Sequence, residues 1–87
     1  MFLSRDSGPG GTTVNVSGEG YSPGERVVIR FHTEQIGATT ADDQGAFSNV
    51  AVVIPMSFSQ FAPQQFDVVA SGEQSLQAAT APFTITG

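Results

Sequence analysis

Apolar side chains recur at every second position wherever this chain shows a clear pattern, so the elements it predicts are β-strands. Across residues 12–17, Val14 and Val16 share one face while Thr13, Asn15 and Ser17 share the other, as in a half-buried strand. Across residues 26–32, Val27, Ile29 and Phe31 alternate with Val28, Arg30 and His32. This is the cleanest alternation in the chain, rich in β-branched residues, and it predicts a central strand. Residues 47–54 break parity, because Phe47 is odd whereas Val50, Val52 and Ile54 are even. One extra residue restores a common face, which places a bulge near Ser48 and Asn49. Two further strands follow, one with Phe66, Val68 and Ala70 inward and one with Ala79, Ala81, Phe83 and Ile85 inward. Pro82 falls on the outer face of the last strand, and its missing N–H requires an unpaired edge or a local break there.

Turn residues punctuate these runs. Gly18-Glu19-Gly20-Tyr21-Ser22-Pro23-Gly24, Asp42-Asp43-Gln44-Gly45 and Gly72-Glu73-Gln74-Ser75 place glycine, proline and aspartate where tight turns use them. Short strands with turn signals between them predict an all-β, immunoglobulin-like, seven-stranded antiparallel sandwich. The 87 residues are enough for one domain, spanning 1–87, and leave no room for a second. The expected core is Val14, Val16, Val27, Ile29, Phe31, Phe47, Val52, Ile54, Phe66, Val68, Phe83 and Ile85. The strands around Ile29 and Val68 should pair antiparallel, with Val28 facing Val69, Arg30 facing Asp67 and Arg26 facing Ser71.

The glycine entry at Gly11, the Tyr21-Ser22-Pro23-Gly24 turn, the Asp43-Gln44-Gly45-Ala46-Phe47 corner and Pro55 after the next strand together resemble bacterial immunoglobulin-like surface repeats of the IPT/TIG group. The resemblance covers nearly the whole chain. It implies a non-enzymatic spacer or adhesion repeat, secreted or at the cell surface, whose partners are the neighbouring domains of a longer bacterial protein. The alternative reading is a carbohydrate-binding module that uses loop aromatics, so a protein or a glycan is the partner to test.

Charge narrows the field. Eight acidic residues against Arg5, Arg26 and Arg30, with no lysine, give a net charge of −5, which lacks the basic footprint that nucleic acid or an anionic membrane surface needs. The absence of cysteine excludes disulfides, thiolate metal sites and a cysteine nucleophile. Residues 1–6 lack the apolar core of a signal peptide, and no run reaches the ~20 apolar residues of a membrane helix, so neither membrane insertion nor a leader is expected within the chain. These ends read as those of a module excised from a longer protein.

Candidate chemistry is sparse, and no catalytic residue, cofactor or metal is expected. Gly18-Glu19-Gly20 opens like a dinucleotide fingerprint, but Pro23 and a β pattern follow where a helix is required. His32, the sole histidine, falls on an outer face with no Gly-x-Ser-x-Gly elbow in the sequence. Asp42 and Asp43 supply too few oxygens for calcium and serve as turn formers. The unusual stretch is residues 55–65, an uncharged loop bounded by prolines and holding Met56, Phe58 and Phe61. These three residues and Tyr21 are the candidate partner-binding positions. The loop is longer than its span demands, so it should cross one end of the sandwich with Phe61 against the core and Phe58 or Met56 outward.

Overall fold

The computed structural model describes residues 1–86; Gly87, the last residue of the expected domain, lies outside them. Among these residues run eight strands: β1 (Phe2–Leu3), β2 (Ser7–Gly8), β3 (Thr13–Gly18), β4 (Arg26–Phe31), β5 (Glu34–Thr40), β6 (Phe47–Val53), β7 (Gln64–Gly72) and β8 (Ala78–Ile85), with a 3-10 helix at Met56–Phe61. They form two sheets, a three-stranded β1-β3-β6 and a five-stranded β2-β8-β7-β4-β5. The count is eight rather than the seven expected, because the N-terminal segment crosses between the sheets. Phe2 and Leu3 pair antiparallel with Ser17 and Val16, whereas Ser7 and Gly8 pair parallel with Thr84 and Ile85. Two strands of two residues each leave no alternation for sequence reading to detect.

The parity of β4 holds. Val27, Ile29 and Phe31 are fully buried in the core and His32 is exposed, while Val28, expected on the outer surface, is also buried although it stays outside the core cluster. Of the expected core residues only Phe66 stays half-buried, while Tyr21, Ala41 and Ala70 join the cluster. The bulge in β6 lies where parity placed it: Val16 pairs with Val50 but Gly18 pairs with Phe47, and Asn49 takes φ 54°. β4 and β7 are antiparallel neighbours, but the register differs from expectation by two residues. Val28 faces Ser71 and Arg30 faces Val69, and the ion pair is Arg26 with Glu73 (3.6 Å) instead of Arg30 with Asp67. A shift of two preserves every face, so hydrophobic pattern cannot detect it.

What sets the register is Glu25, a carboxylate with no exposed surface. It accepts hydrogen bonds from the Ser22 amide (2.6 Å), the Gln74 and Ser75 amides (both 2.9 Å) and the Ser75 hydroxyl (2.6 Å). The turn between β7 and β8 is thereby tied to the entrance of β4. Gly72 makes room for the group, since a Cβ there would lie 2.6 Å from Oε1. Burial alone would push the Glu25 carboxyl up; the Ser75 hydroxyl and the three amides outweigh it and hold it at about 2. In the neighbouring turn at the same pole, Asp42 Oδ1 accepts from the Gln44 and Ala46 amides (2.8 and 3.0 Å), which lowers its pKa. Gly45 there has φ 77°, and a Cβ would overlap the Tyr21 carbonyl.

The Cα extents are 38 × 20 × 15 Å. A strand as long as β7 spans roughly 26 Å, so the strands run near the long axis. Register then assigns the poles. Phe2 lies beside Ser17, at the end holding Phe47 and the residue 18–25 turn, whereas Ile85 lies beside Gln64 at the other end. The described chain therefore enters at one pole and leaves at the opposite one.

Candidate functional site: an aromatic groove at the exit pole

At the exit pole, His32, Phe58, Phe61, Gln64 and Phe66 line an open groove of about 350 Å³. Its floor is built on Phe31, the last residue of β4, whose ring meets Phe58 edge-on at 4.9 Å and lies 5.4 Å from Phe66 and 6.0 Å from Phe83. Phe58 in turn contacts Phe66 at 5.0 Å and Phe61 at 6.0 Å. Offset and edge-to-face rings at these distances attract beyond their simple burial, so the residue 55–65 connection is docked by a chain of aromatic contacts. His32 leaves β4 with φ 58°, donates its amide to the Asp67 carbonyl (2.8 Å) and sets its imidazole 5.4 Å from Phe66.

The four candidate residues are not brought together. Phe58 is the half-buried member of the loop, whereas Phe61 is 49% exposed and Met56 74% exposed, the reverse of the order expected for the two phenylalanines. Phe58 and Phe61, three residues apart in the 3-10 helix, share one face; Phe58 seats on Phe31, and Phe61, one turn further on, reaches the rim. Met56 lies beside Gly11, outside the groove. Tyr21 is 6% exposed and cannot serve as a platform; its hydroxyl donates to the Ala70 carbonyl (2.7 Å). Burial, and then the charge of Glu25, push its pKa up, with the Ala79 amide opposing. His32, Gln64 and Phe66 were missed as groove residues because they meet only through tertiary pairing of β4 with β7.

The groove supplies stacking surfaces, one imidazole and one amide. The His32 side chain makes no hydrogen bond to a serine or carboxylate among the described residues, and no cluster of three or more His, Asp or Glu among them could hold a metal ion. A second hollow, about 390 Å³, opens at the entry pole between Phe2, Ser17, Glu19 and Phe47. No helix among the described residues is long and apolar enough to cross a membrane.

Two packed sheets, a sheet-switching first segment and a site made of surface aromatics define an immunoglobulin-like structural module. The family comparison supports the immunoglobulin-like class but not the IPT/TIG group expected from the turn motifs: residues 1–85 match the macroglobulin-like domain, and the chain belongs to that family. Comparisons with curated proteins and with solved structures return no match.

Proposed function

We propose that this domain is a spacer within a longer secreted or cell-surface bacterial protein, holding its neighbours apart along its own long axis. The observation that carries this is the placement of the two ends at opposite poles of a body 38 Å long. Domains joined there extend the chain, whereas adjacent ends would fold them side by side. The resemblance of the turn motifs to those of bacterial surface repeats motivates the location, and membership in the macroglobulin-like family supports a structural, non-enzymatic role. The groove at the exit pole is then a contact for the following domain, with Phe61 on its rim.

Small-angle X-ray scattering on two copies joined head to tail tests this. From the single-domain value of 12.5 Å, end-to-end stacking gives a radius of gyration of about 23 Å, against about 16 Å for side-by-side packing. A value near 16 Å would remove the spacer reading. A glycan array provides the contrast with the carbohydrate reading, for which Tyr21 is hidden and Phe58 is packed on Phe31. Binding lost in Phe61→Ala with the fold intact would favour that reading instead.

A further inference from the structure

Four strands bound the two sheets, and three of them are blunted. β1 is short, but Ser4 after it bonds Asn15 and extends the cover along β3; β5 carries Glu34, is bulged between its pairings with Ile29 and Arg30, and runs on to Asp42 and Asp43; β6 is bulged and lies against β5, Val52 at Gly37. The fourth edge is β2, but β2 covers only Thr84 and Ile85 of β8. The rest of β8 is therefore an open edge, because the N-terminal segment departs for the other sheet before reaching it.

The direction of this edge follows from bonds already made. Thr84 and Thr86 donate their amides away from β7, to the Asp6 and Gly8 carbonyls (2.9 and 3.0 Å), while the Gln77 carbonyl accepts from Gly72 on the β7 side. Backbone groups alternate along a strand, so Ala78, Thr80 and Pro82 present theirs to the open side. Pro82 has no N–H to offer, which leaves Ala78 and Thr80 as the donors. The β7–β8 register is continuous from Gln64 to Ser71, so the strand is straight and unbulged. No residue from 74 to 87 is charged, in a chain whose net charge is −5. Natural sheets protect long edges with charge, bulges or proline, and here only Pro82 does so.

We propose that this edge is a self-association surface, on which a second copy of the chain adds its own β8 antiparallel across a two-fold axis. Like copies of an acidic chain repel, and the uncharged β8 edge is where they approach without placing carboxylates opposite each other. With Ala78 opposite Thr80, each copy donates both free amides to the other's carbonyls, and the sheets join into one. The axis then passes between the two Ala79 residues, and the contact is isologous, so it closes as a dimer. A five-residue edge buries far less than a standard interface, so association is weak, with a dissociation constant of roughly 0.1–1 mM. It gains strength where several such domains lie along neighbouring chains.

Sedimentation equilibrium across this range tests the proposal on the intact chain. The expected result is a monomer–dimer equilibrium weakened at least tenfold by Thr80→Glu, which places charge on the edge, and by Thr80→Pro, which removes a donor unused within the fold. If Thr80→Pro fails to fold, Thr80→Glu retains the test, because its side chain projects from the exposed face. The chain has no cysteine, so single replacements report geometry directly. Ala79→Cys should crosslink under mild oxidation, its two Cα atoms lying about 4.5 Å apart. Ala81→Cys should not, at a separation of roughly 14 Å. A monomer at about 1 mM, a dimer indifferent to both Thr80 variants, or equal crosslinking at the two sites would overturn the proposal.

Discussion

Phe31→Ala is expected to cost the fold about 3–5 kcal/mol, out of the roughly 4–13 kcal/mol available to a chain of this length. Phe31 is fully buried and contacts Phe58, Phe66 and Phe83, so truncation removes one ring and the support of three others. The exit-pole loop should loosen with it, since Phe58 is the loop's only half-buried phenylalanine and Phe31 is its seat. Urea titration checks this: the midpoint should fall sharply, with slow exchange lost first at amides of residues 55–65. Phe61→Ala, at a half-exposed rim, should cost about 1 kcal/mol or less. Equal costs for the two would show that the aromatic chain does not anchor the loop.

Glu25→Gln should lower the melting temperature by roughly 10 °C or more. It replaces one carboxylate oxygen with an amide N–H directed at donors, so part of the set of Ser22, Gln74, Ser75 and the Ser75 hydroxyl loses its acceptor. The pH dependence has a definite sign. The folded carboxyl sits at about 2, below its ordinary value of 4.5, so the unfolded chain binds this proton first. The stabilisation is complete above pH 4.5 and disappears as pH falls through about 2. Melting curves of the native chain should therefore fall more steeply over that window than those of Glu25→Gln. Parallel curves would mean that Glu25 does not titrate as its bonding requires.

Glu25 also marks what was legible in the sequence. It is in phase with Val27, Ile29 and Phe31, so the alternation that identified β4 already pointed this glutamate inward. What alternation could not supply was its set of donors, all of which but the Ser22 amide come from a turn about fifty residues away. The same boundary separates the other outcomes. Faces, the bulge in β6 and the edge position of Pro82 were readable because they follow from local parity and from the chemistry of one residue. The register of β4 on β7, the burial of Tyr21 and the exchange of roles between Phe58 and Phe61 depend on what lies across the sandwich. In the groove, the loop aromatics stood out by composition, while His32 and Phe66 looked like ordinary strand residues until the sheet brought them to the rim.

The switch of the first segment between sheets has a mechanical meaning. Because β2 runs parallel to β8 while the chain enters and leaves at opposite poles, tension applied at the two ends pulls these strands past one another. The bonds from Thr84 to Asp6 and from Thr86 to Gly8 lie across that direction and are loaded in shear, so they must fail together instead of opening one at a time. A domain wired in this way resists stretching through its kinetics of rupture, not through its equilibrium stability. A short parallel ladder at the exit pole would thus act as a latch under load, and weakening it with Thr86→Pro, which removes the N–H that the Gly8 carbonyl accepts, would lower the rupture force before it changed the melting temperature by a comparable fraction.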